Sequence, residues 1–188
     1  MAIKNLKKFN SKLSFLYRQS KFLDPYLRRL LCNALIQPHF DYGCISWYPL
    51  LNKKLKTKLQ CAQNKCIRFC LNMSPRSHIG TNEFVQINWL PTKNRVEQCL
   101  ALNVYKYFNN IAPSYVDDLF LRSQNQYNTR RSQTALDIPF KKSNTGQKSI
   151  SFLGPLLWNK LDSGLKSAAS AISFTHGFKK QLLKDLRV

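Results

Sequence analysis

The segment spanning residues 53–70, KKLKTKLQCAQNKCIRFC, constrains the fold most. Leu55, Leu59, Ala62, Cys66 and Phe69 recur at steps of three and four and run on to Met73, a period that fits one face of an α-helix and no strand. Asn52 stands just before it, where a side-chain oxygen can accept from a free first-turn amide. Lys53, Lys54, Lys56, Lys58, Lys65 and Arg68 fall on the other faces.

The same period recurs elsewhere. Ile3, Leu6, Phe9, Leu13 and Leu16 predict an amphipathic helix over residues 3–18, with Lys4, Lys7, Lys8 and Lys12 on its polar face. Asp24 as cap and Pro25 at the first helical position begin a second helix with an apolar stripe of Leu27, Leu30, Leu31, Ala34 and Leu35. Pro38 ends or kinks it, and the aromatic run HFDYGCISWYP reads as a loop. Beyond Pro75, a polar loop precedes a short helix near 83–86. Pro91 and Thr92 then introduce VEQCLALNVYKYF, whose low charge predicts a buried helix.

After Phe120 the chain turns polar through SQNQYNTRRSQT. Two candidate strands follow, ALDIPF and KSISFL, separated by a turn at 144–146. Gly154 and Pro155 lead into a short LLWNKL helix, and Ile172, Phe174, Phe178, Leu182, Leu183 and Leu186 predict a closing helix. The expected fold is mainly α: a helical bundle, then a small β-hairpin-like element and a C-terminal helix. The expected domains are residues 1–120, helical, and residues 121–188, basic with short strands.

Charge narrows the choice of partner. The 188 residues carry 30 Lys and Arg against 9 Asp and Glu, a net charge of +21, which makes nucleic acid the expected partner because counterion release drives such binding. Residues 1–70 hold 14 basic and 2 acidic groups, residues 71–120 hold 4 of each, and residues 121–188 hold 12 and 3. The excess therefore sits at both ends. Solvated helix faces and an anionic membrane surface are the competing readings. No stretch approaches the roughly 18 apolar residues of a spanning helix, and the N-terminus lacks a secretory signal, so an intracellular, cytoplasmic or nuclear protein is expected. Six cysteines then read as reduced thiols.

Two strings invite chemistry. Tyr115-Val116-Asp117-Asp118 copies the YxDD pattern, in which paired carboxylates on a turn between apolar strands bind two metal ions. Here Pro113 and Ser114 stand just upstream, so the segment reads as a helix start with Ser114 as N-cap and Asp117 completing a capping box. Asp41 is a conceivable third carboxylate but lies in the aromatic run. Cys61, Cys66 and Cys70 lack the two-residue knuckles of structural zinc sites and read as buried thiols. His39, His78 and His176 are isolated, and no phosphate-cradling glycine loop occurs. No catalytic residue, metal, cofactor or small-molecule substrate is expected.

Two basic sets remain. Lys54, Lys58, Lys65 and Arg68 lie along one side of the third predicted helix and could follow a phosphate backbone. Tyr127, Arg130 and Arg131, with Lys141, Lys142 and Lys148 around the expected hairpin, combine a stacking surface with phosphate contacts.

The runs KLSFLYRQSKFL, LLCNALIQPHFDYGCISWYP, KLQCAQNKCIRFCLNM, NWLPTKNRVEQCLALNVYKYFNNIAPSYVDDLF, YNTRR, SFLGPLLWNKL and SFTHGFKKQLLKDL cover nearly the whole chain. In order and spacing they resemble the region downstream of the catalytic palm in LINE-type (non-LTR, jockey-like) retrotransposon reverse transcriptases. The resemblance implies a helical thumb that grips template–primer duplex, followed by a C-terminal region. It places Lys54, Lys58, Lys65 and Arg68 in the thumb-like helix and Tyr127, Arg130 and Arg131 in YNTRR. It also places the YVDD string downstream of the family's active site, with palm, fingers and endonuclease absent. The expected function is non-catalytic binding of RNA or DNA duplex by a fragment of an RNA-directed DNA polymerase, with an intact reverse transcriptase as a further partner. The alternative is a protein-interaction scaffold or a non-functional remnant of a mobile element.

Overall fold

A computed structural model of the chain describes residues 2–123 and 134–186, with side chains from residue 6 onward. It is mainly α-helical. In order the helices are α1 (Ala2–Arg18), α2 (Pro25–Leu35), α3 (Gln37–Asp41), α4 (Cys44–Trp47), α5 (Lys53–Cys70), α6 (Thr81–Gln86), α7 (Thr92–Phe108), α8 (Ile150–Lys160), α9 (Ser163–Lys166) and α10 (Ala171–Asp185). Short 3-10 turns occupy Ser20–Phe22, Ser114–Leu119 and Gly146–Lys148. No described helix is long and apolar enough to cross a membrane.

The chain forms two compact units, Met1–Val96 with Leu183–Val188, and Glu97–Leu182. The division falls within α7, after Val96, and within α10, after Leu182.

In the first unit α1 buries Phe9, Leu13 and Leu16, the face its period predicts. Asp24 caps α2 by accepting from the Leu27 amide at 2.7 Å, and Asn52 caps α5 by accepting from Leu55 at 2.9 Å. The stripe expected on α2 is displaced. Cys32 and Ile36 are fully buried there, whereas Leu27, Leu30 and Leu35 are exposed, because the side facing α5 must also admit Arg28.

The aromatic run is not a loop. Pro38 sits in the first turn of α3, where its missing amide costs no hydrogen bond, and Gly43 at φ +59° turns the chain into α4. α5, α6 and α7 share one ending. Asn72, Asn88 and Asn110 adopt φ of 53°, 55° and 55°, and the next residue's amide reaches back to the carbonyl five residues earlier: Met73 to Arg68, Trp89 to Phe84, Ile111 to Lys106. Asparagine thus fills the left-handed position more often held by glycine.

The second unit is built around Val104, Tyr105, Phe120, Trp158, Phe174 and Phe178. Tyr105 stacks on Phe174 with centroids 4.6 Å apart. Gly154 lets α8 approach closely, since a Cβ there would stand 2.6 Å from the Phe120 ring and 3.1 Å from Val104.

The expected hairpin does not form, and the described residues contain no strand. Leu136 of ALDIPF makes an isolated antiparallel bridge to Arg122, with Asp137 N donating to Leu121 O at 2.9 Å and Ser123 N to Ala135 O at 3.1 Å. On its other side Leu136 is held by Asn159, whose side chain accepts from its amide at 3.0 Å and donates to its carbonyl at 2.8 Å. KSISFL is thereby left without a partner to pair with. It enters a 3-10 turn and then α8, which runs through Gly154 and Pro155 instead of starting after them.

Candidate nucleic-acid interface

α5 positions the first basic set. At 100° per residue, positions 54, 58, 61, 65 and 68 fall within one narrow sector of a helix. Lys54, Lys58, Cys61 and Lys65 are all exposed there. From Lys54 to Lys65 the axis rises about 16 Å, so the row spans several phosphates of a nucleic-acid strand. The opposite face carries Leu59, Ala62, Cys66, Ile67, Phe69 and Cys70, all buried, which fixes the lysine row outward.

Electrostatically the helix is unusual. Its sequence contains no acid, and its first turn holds Lys53, Lys54 and Lys56, the reverse of the usual preference for acids near the positive end of the helix dipole. Lys56 is drawn aside, with its Nζ 5.2 Å from the centre of the Tyr48 ring. Arg68 is half-buried, and its Nε donates to the Ser77 carbonyl at 2.8 Å, so it both extends the row and ties down the loop after α5. The Tyr17 hydroxyl reaches the Lys65 carbonyl at 3.5 Å, bringing α1 beside the row.

α1 contributes cations that the two sequence-derived sets omit. Lys7, Lys8 and Lys12 are exposed, and Lys12 Nζ donates to the carbonyl of Leu35, the last residue of α2, at 3.2 Å. Burial, followed by the nearby charges of Lys12 and Lys8, holds the His39 imidazole below its ordinary range. The period of α1 showed these lysines on a polar face; their convergence on α3 depends on tertiary packing.

The second set is only partly within view. Tyr127, Arg130 and Arg131 lie outside the described residues. Lys142 and Lys148 are exposed and Lys141 half-buried, on a turn instead of a hairpin. That turn is closed by Gln147 N donating to Ser143 O at 3.0 Å and by Lys148 N donating to Thr145 O at 3.1 Å. Its side-chain contacts include Gln147 Nε2 to the Lys141 carbonyl at 3.2 Å.

The YVDD string is a 3-10 turn, not the start of an α-helix. Asp117 and Asp118 are exposed, Val116 is buried, and Ser114 makes no capping bond because Pro113 holds the cap position. Asp41 ends α3 and forms a two-pronged pair with Arg95, one contact being 2.6 Å from Nη2 to Oδ2. Among the described residues no group of three His, Cys, Asp or Glu side chains is arranged to hold a metal ion. Cys32 joins Cys66 and Cys70 in the first core, whereas Cys61 is exposed, so the expectation of buried thiols holds for Cys66 and Cys70 and fails for Cys61.

No protein-family model, curated protein or solved structure matches the chain.

Proposed function

We propose that this chain is a non-catalytic nucleic-acid-binding module that grips RNA or a template–primer duplex, the role of a thumb in a LINE-type reverse transcriptase. The observation that carries this reading is the acid-free α5, with Lys54, Lys58 and Lys65 exposed in one row. A helix whose first turn carries cations against its own dipole gains nothing in stability from them, whereas a phosphate backbone laid along the row would neutralise them. The exposed lysines of α1, near Leu35 and His39, supply further cations. An intact reverse transcriptase is a natural partner, and the cytoplasm or nucleus the compartment where both would meet RNA.

The test is a binding titration on an RNA–DNA duplex at increasing potassium chloride, followed by fluorescence anisotropy. Each phosphate neutralised on duplex contributes about −0.9 to the slope of log affinity against log salt. Lys54→Ala, Lys58→Ala and Lys65→Ala together should lower the slope's magnitude by about two to three while leaving the circular dichroism spectrum intact. An unchanged slope in the folded triple variant removes α5 from the interface. Unchanged binding both there and in Arg130→Ala with Arg131→Ala removes the nucleic-acid reading for both sets.

A further inference from the structure

α2 is apolar on two sides and covered on one. Toward the core it buries Cys32, and Ile36 is buried just past its end. Facing solvent are Tyr26, Leu27 and Leu30, at 64%, 38% and 50% exposure, led by Phe22 at 82% in the turn just upstream. Single exposed leucines are ordinary in soluble proteins. A run of large apolar groups on one helix and its leading turn marks an interaction surface. Tyr26, Leu30 and Ala34 recur every fourth residue with Leu27 alongside, the spacing with which one helix packs against another.

The charges beside this face select the occupant. Arg18 and Lys21 are exposed just before it, and the Arg29 guanidinium lies 6.0 Å from the centre of the Tyr26 ring. Asp24 is already engaged, its Oδ1 accepting from the Leu27 amide at 2.7 Å. A second copy of this chain would set Arg18, Lys21 and Arg29 against their own equivalents, in a protein of net charge +21. We infer that the solvent face of α2 docks an amphipathic helix from a different protein, its apolar stripe on Tyr26, Leu27 and Leu30 and its flanks carrying Asp and Glu. The occupant is a protein helix, not a lipid surface. This surface is separate from the lysine row, which lies on α5.

The experiment pans the full chain against a display library of helical peptides randomised at their surface positions. Enriched peptides should carry apolar residues at three- and four-residue steps with acidic flanks. They should lose about tenfold in affinity, or 1.4 kcal/mol, on a Tyr26→Gln, Leu30→Gln variant. A second variant, Lys21→Gln with Arg29→Gln, should weaken the same peptides severalfold at low salt and less at high salt. Both variants change side chains that are exposed or, for Arg29, half-buried, and should melt near the parental temperature, and neither should alter the salt slope of duplex binding. Failure to enrich any peptide, enrichment without acidic flanks, or affinity unchanged by Tyr26→Gln, Leu30→Gln overturns the inference. So does a dimer in sedimentation equilibrium that this variant dissociates, or variant-sensitive binding to phosphatidylserine-containing vesicles in place of peptide.

Discussion

The guanidinium of Arg28 donates from Nη1 to Oδ1 of Asn72 at 2.7 Å, joining the first turns of α2 to the residue that closes α5. The same side chain also donates to the carbonyls of Leu23, Ser20 and Phe69 at 2.9, 2.8 and 3.3 Å and lies 5.4 Å from the centre of the Phe69 ring. Its charge is therefore spent on backbone carbonyls, of which those of Ser20 and Phe69 also accept long backbone bonds from Leu23 and Asn72. Arg28→Ala should destabilise the first unit by about 2–3 kcal/mol, read as a lower urea midpoint. Arg28→Lys should recover little, because an ammonium cannot reproduce the planar fork. Full recovery by lysine would show that charge alone, not the hydrogen-bond pattern, supports this junction.

Cys32, Cys66 and Cys70 are buried, whereas Cys61 is exposed. A hydrogen bond with Cys66 is the main cause raising the Cys32 thiol, and a hydrogen bond with Cys32, then burial, raises that of Cys70. Folding therefore favours the protonated forms of Cys32 and Cys70. Their contribution is complete below the ordinary thiol range and is lost as pH climbs past about 9, where the unfolded chain ionises first. Stability should fall over that alkaline window, less steeply in Cys32→Ala. Iodoacetamide should modify Cys61 in the native protein and reach the other three only after denaturation, as peptide mass mapping would reveal.

Gly154 tests the close approach of α8. Gly154→Ala must displace Phe120 or Val104 and should destabilise the second unit by about 1–3 kcal/mol in thermal or urea melts. Phe120→Leu in the same chain should restore part of the loss, because it removes the ring atom nearest the new methyl. Equal losses with and without Phe120→Leu would place the strain elsewhere.

His39 reports on the α1 lysines. Its pKa is held down by burial and then by Lys12 and Lys8, so it contributes stability above the ordinary value of 6.5 that is lost as pH falls through its folded value. His39→Gln should flatten that acid limb. Phosphates settling on Lys8 and Lys12 would offset their repulsion of the imidazolium, so adding RNA–DNA duplex should raise the His39 pKa in an NMR titration. An unmoved pKa would place the bound strand away from α1.

What could be read from sequence was local. Asp24 and Asn52 cap as their positions require, because a cap depends on its own residue and the next three. α1 and α5 bury the faces their periods mark. α2 misled because it is apolar around most of its circumference, and only the packing of Cys32 against α5 decides which leucines go without cover. The signature of the C-terminal caps, asparagine followed by an apolar residue at Asn72–Met73, Asn88–Trp89 and Asn110–Ile111, was present but is weaker than the glycine usually sought. KSISFL reads as a strand in the sequence because a short apolar run does not distinguish strand from helix. The lysine row was legible from spacing alone; the gathering of Lys8, Lys12 and His39 was not, since it joins two helices far apart in sequence.

Asn159 has a consequence beyond holding the bridge. An extended segment with one neighbour leaves its outer amides and carbonyls as a template on which another chain can add a strand. At Leu136 both outward groups are already taken by one side-chain amide. The second unit thus carries at that position a built-in stopper against edge-to-edge aggregation, supplied by a single residue of α8.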